Sequence, residues 1–184
     1  DIERIKQAEK TMHEINMGGS AIGTSINVNS LYLDKIDKEI SAICGYELHL
    51  ANNLIDSTQN LDGFVYVSSA LKNCSVNLSK IAADLILMSS GPRTGFCEIN
   101  LPAVQSGSSI MPGKINPVIP EVVIQVAYLI MGHDVTISMA ASSGQLELNA
   151  FGPVIYYQLY EATYALNGAV ESFTRDCVKG ITAN

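Results

Sequence analysis

The side chains best suited to chemistry lie together in residues 107–117, which read GSSIMPGKINP. Two glycines and two prolines in eleven residues exclude one continuous helix or strand, so the stretch is predicted to be a loop. It carries Ser108, Ser109, Lys114 and Asn116. A serine hydroxyl acts as a base only as its alkoxide, which backbone N–H groups and an ammonium can stabilise. These residue types predict proton removal by a loop serine, but they do not separate Ser108 from Ser109.

Long helices are predicted on both sides of this loop. Apolar residues recur every three or four positions over residues 62–90, which predicts one helix capped by Asp62. Residues 118–139 are apolar nearly all round, so this helix is expected to be buried on all sides. A third long helix is predicted from Pro153, with its pattern interrupted at Gly168. The loop is therefore held between core-forming elements.

Shorter helices are predicted before residue 62. Helical spacing covers residues 1–15 and 31–44, the second ending at Gly45, and residues 48–57 form a short helix. No strand-like alternation persists. The predicted fold is all-α, a bundle of four or five helices, three of them long, within a single domain over residues 1–184.

Composition excludes some classes of function. Hydrophobic residues make up 47% of the chain and charged residues 16%, fewer than about a quarter expected for a soluble domain. We therefore expect partner chains to cover part of the surface. A net charge of −7 without basic runs argues against a nucleic-acid role. No apolar stretch is expected to reach the roughly 18–20 residues that span a bilayer. The four cysteines lack CxxC spacing and are interpreted as reduced, mostly core residues.

Three segments carry a resemblance to a known family. The loop resembles the GSSxMPxKxNP signature of the aspartase/fumarase superfamily, and residues 90–95 resemble its SGPRxG segment. Residues 18–27 are similar to its GGTAxGTGLN segment, with Ser25 where the family usually has glycine. This departure leaves the backbone conformation at Ser25 open. The resemblance implies the central helical domain of the superfamily, without its N-terminal and C-terminal domains.

The resemblance also implies roles for the loop residues. In the family, the serine at the position of Ser108 accepts the proton, and the one at Ser109 contacts substrate. Lys114 and Asn116 correspond to the residues that bind the substrate carboxylate. Glu121 matches a glutamate that supports a histidine contributed by another segment.

The implied activity is elimination of ammonia from aspartate to give fumarate, through an aci-carboxylate intermediate. Residues 98–102, 117–123 and 144–149 resemble the ammonia-lyase branch more than the hydratase branch, although no physical argument separates the two reactions. Fumarate hydration and a non-catalytic helical scaffold or binding protein are the alternatives. The resemblance further implies a dicarboxylate substrate, a homotetramer whose active sites draw on three subunits, and an inactive isolated fragment. The reduced cysteines predict a cytoplasmic location. No cofactor, catalytic metal, nucleic-acid partner or membrane association is expected.

Two further residues have open interpretations. Arg93 either braces its loop or pairs with a substrate carboxylate. His133 is either a hydrogen-bonded structural residue or a substrate contact that titrates near neutral pH. His13 is expected to lie on a solvated helix face.

Overall fold

The computed structural model describes residues 1–184, and α-helices dominate it. The predicted all-α class is confirmed, and so are the three long helices, whereas the predicted count of four or five helices is wrong because seven α-helices are present. In chain order the helices are α1 (Ile2–Lys10), α2 (Ser30–Leu33), α3 (Ile36–Cys44), α4 (Leu54–Gln59), α5 (Asp62–Met88), α6 (Val118–Ala141) and α7 (Gly152–Asp176). Short 3-10 helices cover Thr11–His13 and Val178–Gly180.

Four two-residue strands complete the chain. β1 (Glu14–Ile15) pairs in parallel with β2 (His49–Leu50). β3 (Ile99–Asn100) pairs antiparallel with β4 (Thr182–Ala183). These pairs are too short to produce the alternation by which a strand is recognised in a sequence.

The chain divides into two compact units, one of residues 1–70 and 133–160 and the other of residues 71–132 and 161–184. Each long helix contributes one segment to each unit. In the first unit, Ile137, Ala140 and Ile155 form a buried cluster of α6 and α7 that packs against Phe64 of α5. The prediction of one domain over residues 1–184 stays a prediction.

The second unit has its own core, which holds the helices on either side of the candidate loop. Its buried residues come from α5, α6, α7 and the residue after α7, and Leu101, one residue beyond β3, packs against them. The buried members are Ala82, Val123, Ala169, Phe173 and Cys177. The segments flanking residues 107–117 are therefore both attached to this core.

Local chemistry explains several helix ends. Gly45 ends α3 in the left-handed conformation at φ 73°, as predicted. The Asn53 side chain caps α4 by accepting the N–H groups of Ile55 and Asp56. The predicted α3 boundary was correct at its C-terminal end, because a glycine past a periodic stretch is a specific stop signal.

Other boundaries were wrong. The first helix ends at Lys10 instead of residue 15, because the chain turns through a 3-10 helix into β1. The predicted 31–44 helix is split into α2 and α3, since the chain leaves helical geometry at Lys35 (φ −125°). The predicted 48–57 helix starts only at Leu54, and α7 runs through Gly168 without a break.

Helix α6 is not buried on all sides. Tyr128, Val135 and Met139 are 63%, 59% and 65% exposed, whereas Val123, Ala127 and Ile130 are buried. One face packs within the chain and the other is open apolar surface. By length and composition, Val118–Ala141 could also cross a membrane, so the prediction that no stretch reaches that length is wrong. The core helix of a soluble protein passes the same test.

Candidate active site

The candidate loop, residues 107–117, connects two segments that are held in place by packing and hydrogen bonds. Before it, Leu101 packs against the core of the second unit. After it, the N–H of Val118 donates to the carbonyl of Asn116 at 2.9 Å, and Pro120 is fully buried in the first turn of α6. A proline in the first turn costs no helical hydrogen bond, because the N–H that it lacks has no partner there. The prediction that Pro120 lies inside the first turn is confirmed.

Backbone hydrogen bonds fold the loop back on itself. The N–H of Ser108 donates to the carbonyl of Lys114 at 3.1 Å, and the N–H of Lys114 donates to the carbonyl of Met111 at 3.1 Å. Gly113 supplies the reversal at φ 84°, in the region that glycine tolerates best. The backbones of Ser108 and Lys114, six positions apart in the sequence, are thereby brought together.

The Ser108 side chain lies inside this turn. Its Oγ accepts the N–H of Ile110 at 3.3 Å and the N–H of Met111 at 3.2 Å. A hydroxyl that accepts N–H groups of the following residues stabilises a turn. The same two donors also favour the negatively charged form of the oxygen, because hydrogen bonds to the charged state stabilise it. The same two hydrogen bonds therefore stabilise the turn and favour the base form of Ser108.

Ser109 differs from its neighbour. Its side chain is exposed and makes no hydrogen bond, whereas Ser108 is partly buried. The geometry therefore separates two residues that the sequence alone leaves equivalent. The sequence predicted that backbone N–H groups of the loop stabilise the serine without identifying them, and the structure shows that Ile110 and Met111 supply them. The spacing from Ser108 to the residues two and three positions on could have indicated them.

The remaining predicted site residues lie in or just after the loop. Lys114 and Asn116 are exposed, and their side chains make no hydrogen bond or ion pair within the chain. Glu121 is exposed in the first turn of α6, where its negative charge is favourable beside the helix N-terminus. The main chain brings Lys114 to Ser108, but the side chains of Asn116 and Glu121 are not joined to either by a hydrogen bond.

The segment before the loop is braced by Ser90, not Arg93. The Ser90 carbonyl accepts the N–H of Cys97 at 2.8 Å, and its hydroxyl accepts the N–H of Phe96 at 3.2 Å. Gly95 lies so close to the Ser90 backbone that an added Cβ would overlap it. Arg93 is exposed and makes no contact of this kind, so the bracing interpretation of Arg93 is wrong within this chain.

The histidines lie outside this loop. His133 Nδ1 is hydrogen-bonded to Oε1 of Gln158, in agreement with the structural interpretation. His13 is not solvated as predicted, because its Nε2 is buried beside the ring of Tyr46. His49 lies 4.0 Å from the carboxylate of Glu14. None of these rings is part of the loop around Ser108.

The cysteines are all free, which agrees with the prediction of reduced thiols. Only Cys177 is buried, while Cys44 is exposed and Cys74 and Cys97 are intermediate. The prediction that they are mostly core residues is therefore wrong. Cys44, the last residue of α3, is exposed.

Known proteins resemble the chain over its whole length. It is 51% identical to an aspartate ammonia-lyase of Helicobacter pylori and 48% identical to one of Bacillus subtilis. Each alignment covers 100% of the chain and 39% of the relative, so the chain spans about two fifths of their length.

Solved structures share the fold. A fumarate lyase:delta crystallin protein from Brucella melitensis superposes with a TM-score of 0.96 at 49% identity, over 100% of this chain and 40% of that one. A class II fumarase from Schistosoma mansoni gives a TM-score of 0.96 at 30% identity, over 100% of this chain and 41% of that one. A family model described as lyase matches residues 1–132. With most of its length inside that match, the chain belongs to this lyase family.

Proposed function

We propose that the chain is the helical core of an aspartate ammonia-lyase, which converts L-aspartate reversibly into fumarate and ammonia. The observation that carries the proposal is the Ser108 hydroxyl, which accepts two backbone N–H groups inside the signature loop. The relatives named aspartate ammonia-lyase support the choice of reaction. Because the chain spans 39% of their length, the activity is proposed for the full-length protein.

The reaction needs a base for a weakly acidic carbon-bound proton. In the proposed first step, the Ser108 alkoxide takes the Cβ proton of aspartate, and the electron pair moves into the adjacent carboxylate. The resulting aci-carboxylate carries two negative charges on its oxygens. In the second step this pair returns to form the carbon–carbon double bond while the C–N bond breaks, and ammonia leaves. The proton remains on Ser108 until the site is reset.

The other loop residues stabilise the dianion. Lys114 brings a positive charge and Asn116 an amide donor, and both are unpaired within the chain and free to bind a carboxylate. Ser109, exposed beside Ser108, contacts the substrate. Loss of one such preorganised donor typically lowers the rate by about 100- to 1000-fold. Glu121 supports a histidine supplied by another segment of the full-length protein.

The open apolar surface supports a homotetramer. Besides the exposed face of α6, helix α7 exposes Tyr157, Tyr160 and Tyr164 by 59%, 65% and 73%. On each helix these side chains recur at helical spacing and share one face, and an exposed apolar face is typical of protein interfaces. We propose that residues 1–184 form a single helical domain in the interior of that assembly. The free cysteines favour a cytoplasmic location, because thiols stay reduced there.

Assay of the full-length protein tests the reaction. Aspartate and malate are supplied separately, and fumarate is followed by its ultraviolet absorbance. Fumarate from aspartate but not malate is expected. The converse would favour fumarate hydratase, the second candidate, which the likeness to the Schistosoma mansoni fumarase keeps open. No product from either would favour a non-catalytic scaffold of the same fold. The isolated 184-residue chain, which spans 39% of the length of the relatives, is expected to be inactive.

A further inference from the structure

The start of the candidate loop is tied to the residues that follow α7. In the β3–β4 pair, Ile99 lies opposite Ala183 and Asn100 lies opposite Thr182. The N–H of Asn184 extends this ladder by donating to the carbonyl of Glu98 at 3.1 Å. The ladder is short, so its main-chain bonds alone would fray readily.

The Asn184 side chain adds contacts on both of its polar atoms. Its Nδ2 donates to the carbonyl of Cys97 at 2.6 Å and lies 3.3 Å from the Cys97 sulfur. Its Oδ1 accepts a hydrogen bond from Nδ2 of Asn100, which also lies 3.5 Å from the Thr182 hydroxyl. One amide therefore bridges both ends of the segment from Cys97 to Asn100.

The same segment is fixed on its other side. The N–H of Cys97 donates to the Ser90 carbonyl at 2.8 Å, and the N–H of Glu98 donates to the Met88 carbonyl at 2.9 Å. Pro102 packs so tightly on Gly180 that an added Cβ would lie 2.5 Å from Pro102 Cγ. Residues 97–102 thus lie clamped between the end of α5 and the segment after α7.

Beyond Pro102 the clamp ends. Residues 103–107 make no backbone hydrogen bond, and the next one is the Ser108 N–H to the Lys114 carbonyl. Residues 97–102 are therefore the last fixed part of the chain before Ser108, and they set the position from which the loop starts.

We infer that Asn184 is a positioning residue for the Ser108 loop. It touches neither substrate nor Ser108, and it acts by fixing the segment from which the loop departs. The catalytic part of this inference rests on the proposed function, whereas the mechanical part does not.

Hydrogen exchange tests the mechanical part. Asn184→Ala is expected to accelerate amide exchange in the hydrogen-bonded residues 97–100 by about threefold to tenfold, the equilibrium shift of one or two lost hydrogen bonds. Asn184→Asp keeps the acceptor for Asn100 but loses the donor to Cys97, and should accelerate exchange as well. Lys179→Ala, an exposed change in the adjacent 3-10 helix, is the matched control. Exchange in Asn184→Ala no faster than in this control would overturn the inference.

Asn100→Ala removes the Nδ2 group that donates to Oδ1 of Asn184, so it should also accelerate amide exchange in the neighbouring hydrogen-bonded residues. Unchanged exchange in this variant would likewise count against the bridging role. Circular dichroism of each variant should show an unchanged helix content, because the substituted residues lie outside the α-helices.

Kinetics of the full-length protein tests the catalytic part. A loosely held Ser108 should lower kcat by about threefold to tenfold while KM for aspartate changes little. An unchanged kcat in Asn184→Ala would remove the positioning role. If the wild-type protein lacks lyase activity, the proposed function fails while the exchange experiment still decides the clamp.

Discussion

The hydroxyl oxygen of Ser108 lies 3.2 Å from the backbone nitrogen of Met111 and accepts its N–H. This contact binds the hydroxyl within the turn and supplies a donor to the charge that the oxygen carries as a base. Ser108→Ala in the full-length protein should therefore lower the rate of fumarate formation by at least about 100-fold, the usual loss for a positioned base. The rate is measured by ultraviolet absorbance, with size-exclusion chromatography to follow assembly.

Ser109→Ala is the matched control for Ser108→Ala. The Ser109 hydroxyl makes no hydrogen bond, so its loss should leave the turn intact and reduce the rate less than loss of Ser108. A larger loss of rate in Ser109→Ala than in Ser108→Ala would move the role of base to the second serine.

Gly113→Ala should loosen the turn that carries Ser108. An added Cβ at Gly113 meets no atom within 4 Å, so the whole penalty comes from φ 84°. That penalty is about 1–2 kcal/mol for a residue with a side chain. The Lys114 amide, which bonds to Met111, should then exchange with solvent about fivefold faster or more.

Gly168→Ala provides the contrasting case. This glycine lies inside α7 with no atom within 4 Å of an added Cβ, and its φ is not positive. Alanine should raise the free energy of unfolding by roughly 0.5–1 kcal/mol, measured by urea denaturation of the chain. If Gly113→Ala raised the free energy of unfolding as much as Gly168→Ala does, the assignment of the Gly113 penalty to backbone geometry would be wrong.

Ser25→Gly should stabilise the chain. Ser25 replaces the family's usual glycine, yet it keeps a left-handed backbone with φ 55°. Its N–H donates to the Gly19 carbonyl at 3.0 Å, and its carbonyl accepts from Val28, which holds that conformation in place. Relief of the strain, less the extra entropy of glycine, should add roughly 0.5 kcal/mol to the free energy of unfolding.

The comparison for Ser25→Gly is Ser79→Gly, inside α5. Glycine there should destabilise the chain by about 0.5 kcal/mol, because a helical backbone gives it no compensating relief. Chemical denaturation of both variants should give shifts of opposite sign. A destabilising Ser25→Gly would mean that the left-handed conformation carries little strain.

The long helices could be predicted because each repeats its apolar spacing over many turns. The end of α3 at Gly45 could be predicted because a glycine past a periodic stretch is a local stop signal, and the start of α5 was predicted to within a residue, although Asp62 is its first residue instead of its cap. The end of α1 at Lys10 leads into β1, whose partner β2 lies far along the chain, whereas the structure gives no explanation for the break at Lys35. Contacts between distant segments override local propensity, and no local pattern marks them.

The loop around Ser108 was located by its motif, and its backbone supplied what the motif could not. The sequence names a serine and a lysine but does not state that the Ser108 N–H meets the Lys114 carbonyl. The clamp by Asn184 was invisible for the same reason, because Cys97 and Asn184 are distant in the sequence. Contacts between residues that are remote along the chain require the folded backbone.

The buried pair of Ser68 and Asp134 should contribute to stability. Ser68 Oγ donates to the Asp134 carboxylate at 2.8 Å, and the residues are 3% and 5% exposed. Ser68→Ala takes one donor from a buried carboxylate, which typically costs about 1–3 kcal/mol. Ser69→Ala, whose hydroxyl makes no hydrogen bond, should stay within about 0.5 kcal/mol in urea denaturation. Similar midpoints for the two variants would contradict the importance of this pair.

The thiols should react in the order of their exposure. Burial raises the pKa of Cys177 and that of Cys74, so both hold less thiolate at mildly alkaline pH than an exposed thiol of ordinary pKa would. Cys44 is exposed and should be labelled first by a thiol reagent. Cys177, only 2% exposed, should react after unfolding. Mass spectrometry of peptides labelled over time gives the order, and early labelling of Cys177 would contradict its place in the core.

The raised pKa of Cys177 also predicts a dependence of stability on pH. The folded state holds the thiol proton more tightly than the unfolded chain, so this stabilisation is complete below the ordinary thiol pKa of about 8.5. It is lost as the pH rises through the higher pKa of the folded state. Urea denaturation from neutral to alkaline pH should therefore show a decline that is shallower in Cys177→Ala, whatever the constant cost of its cavity. Cys44→Ala, which removes an exposed thiol, is the matched control substitution, and a decline as steep in Cys177→Ala as in the wild type would contradict this role of Cys177.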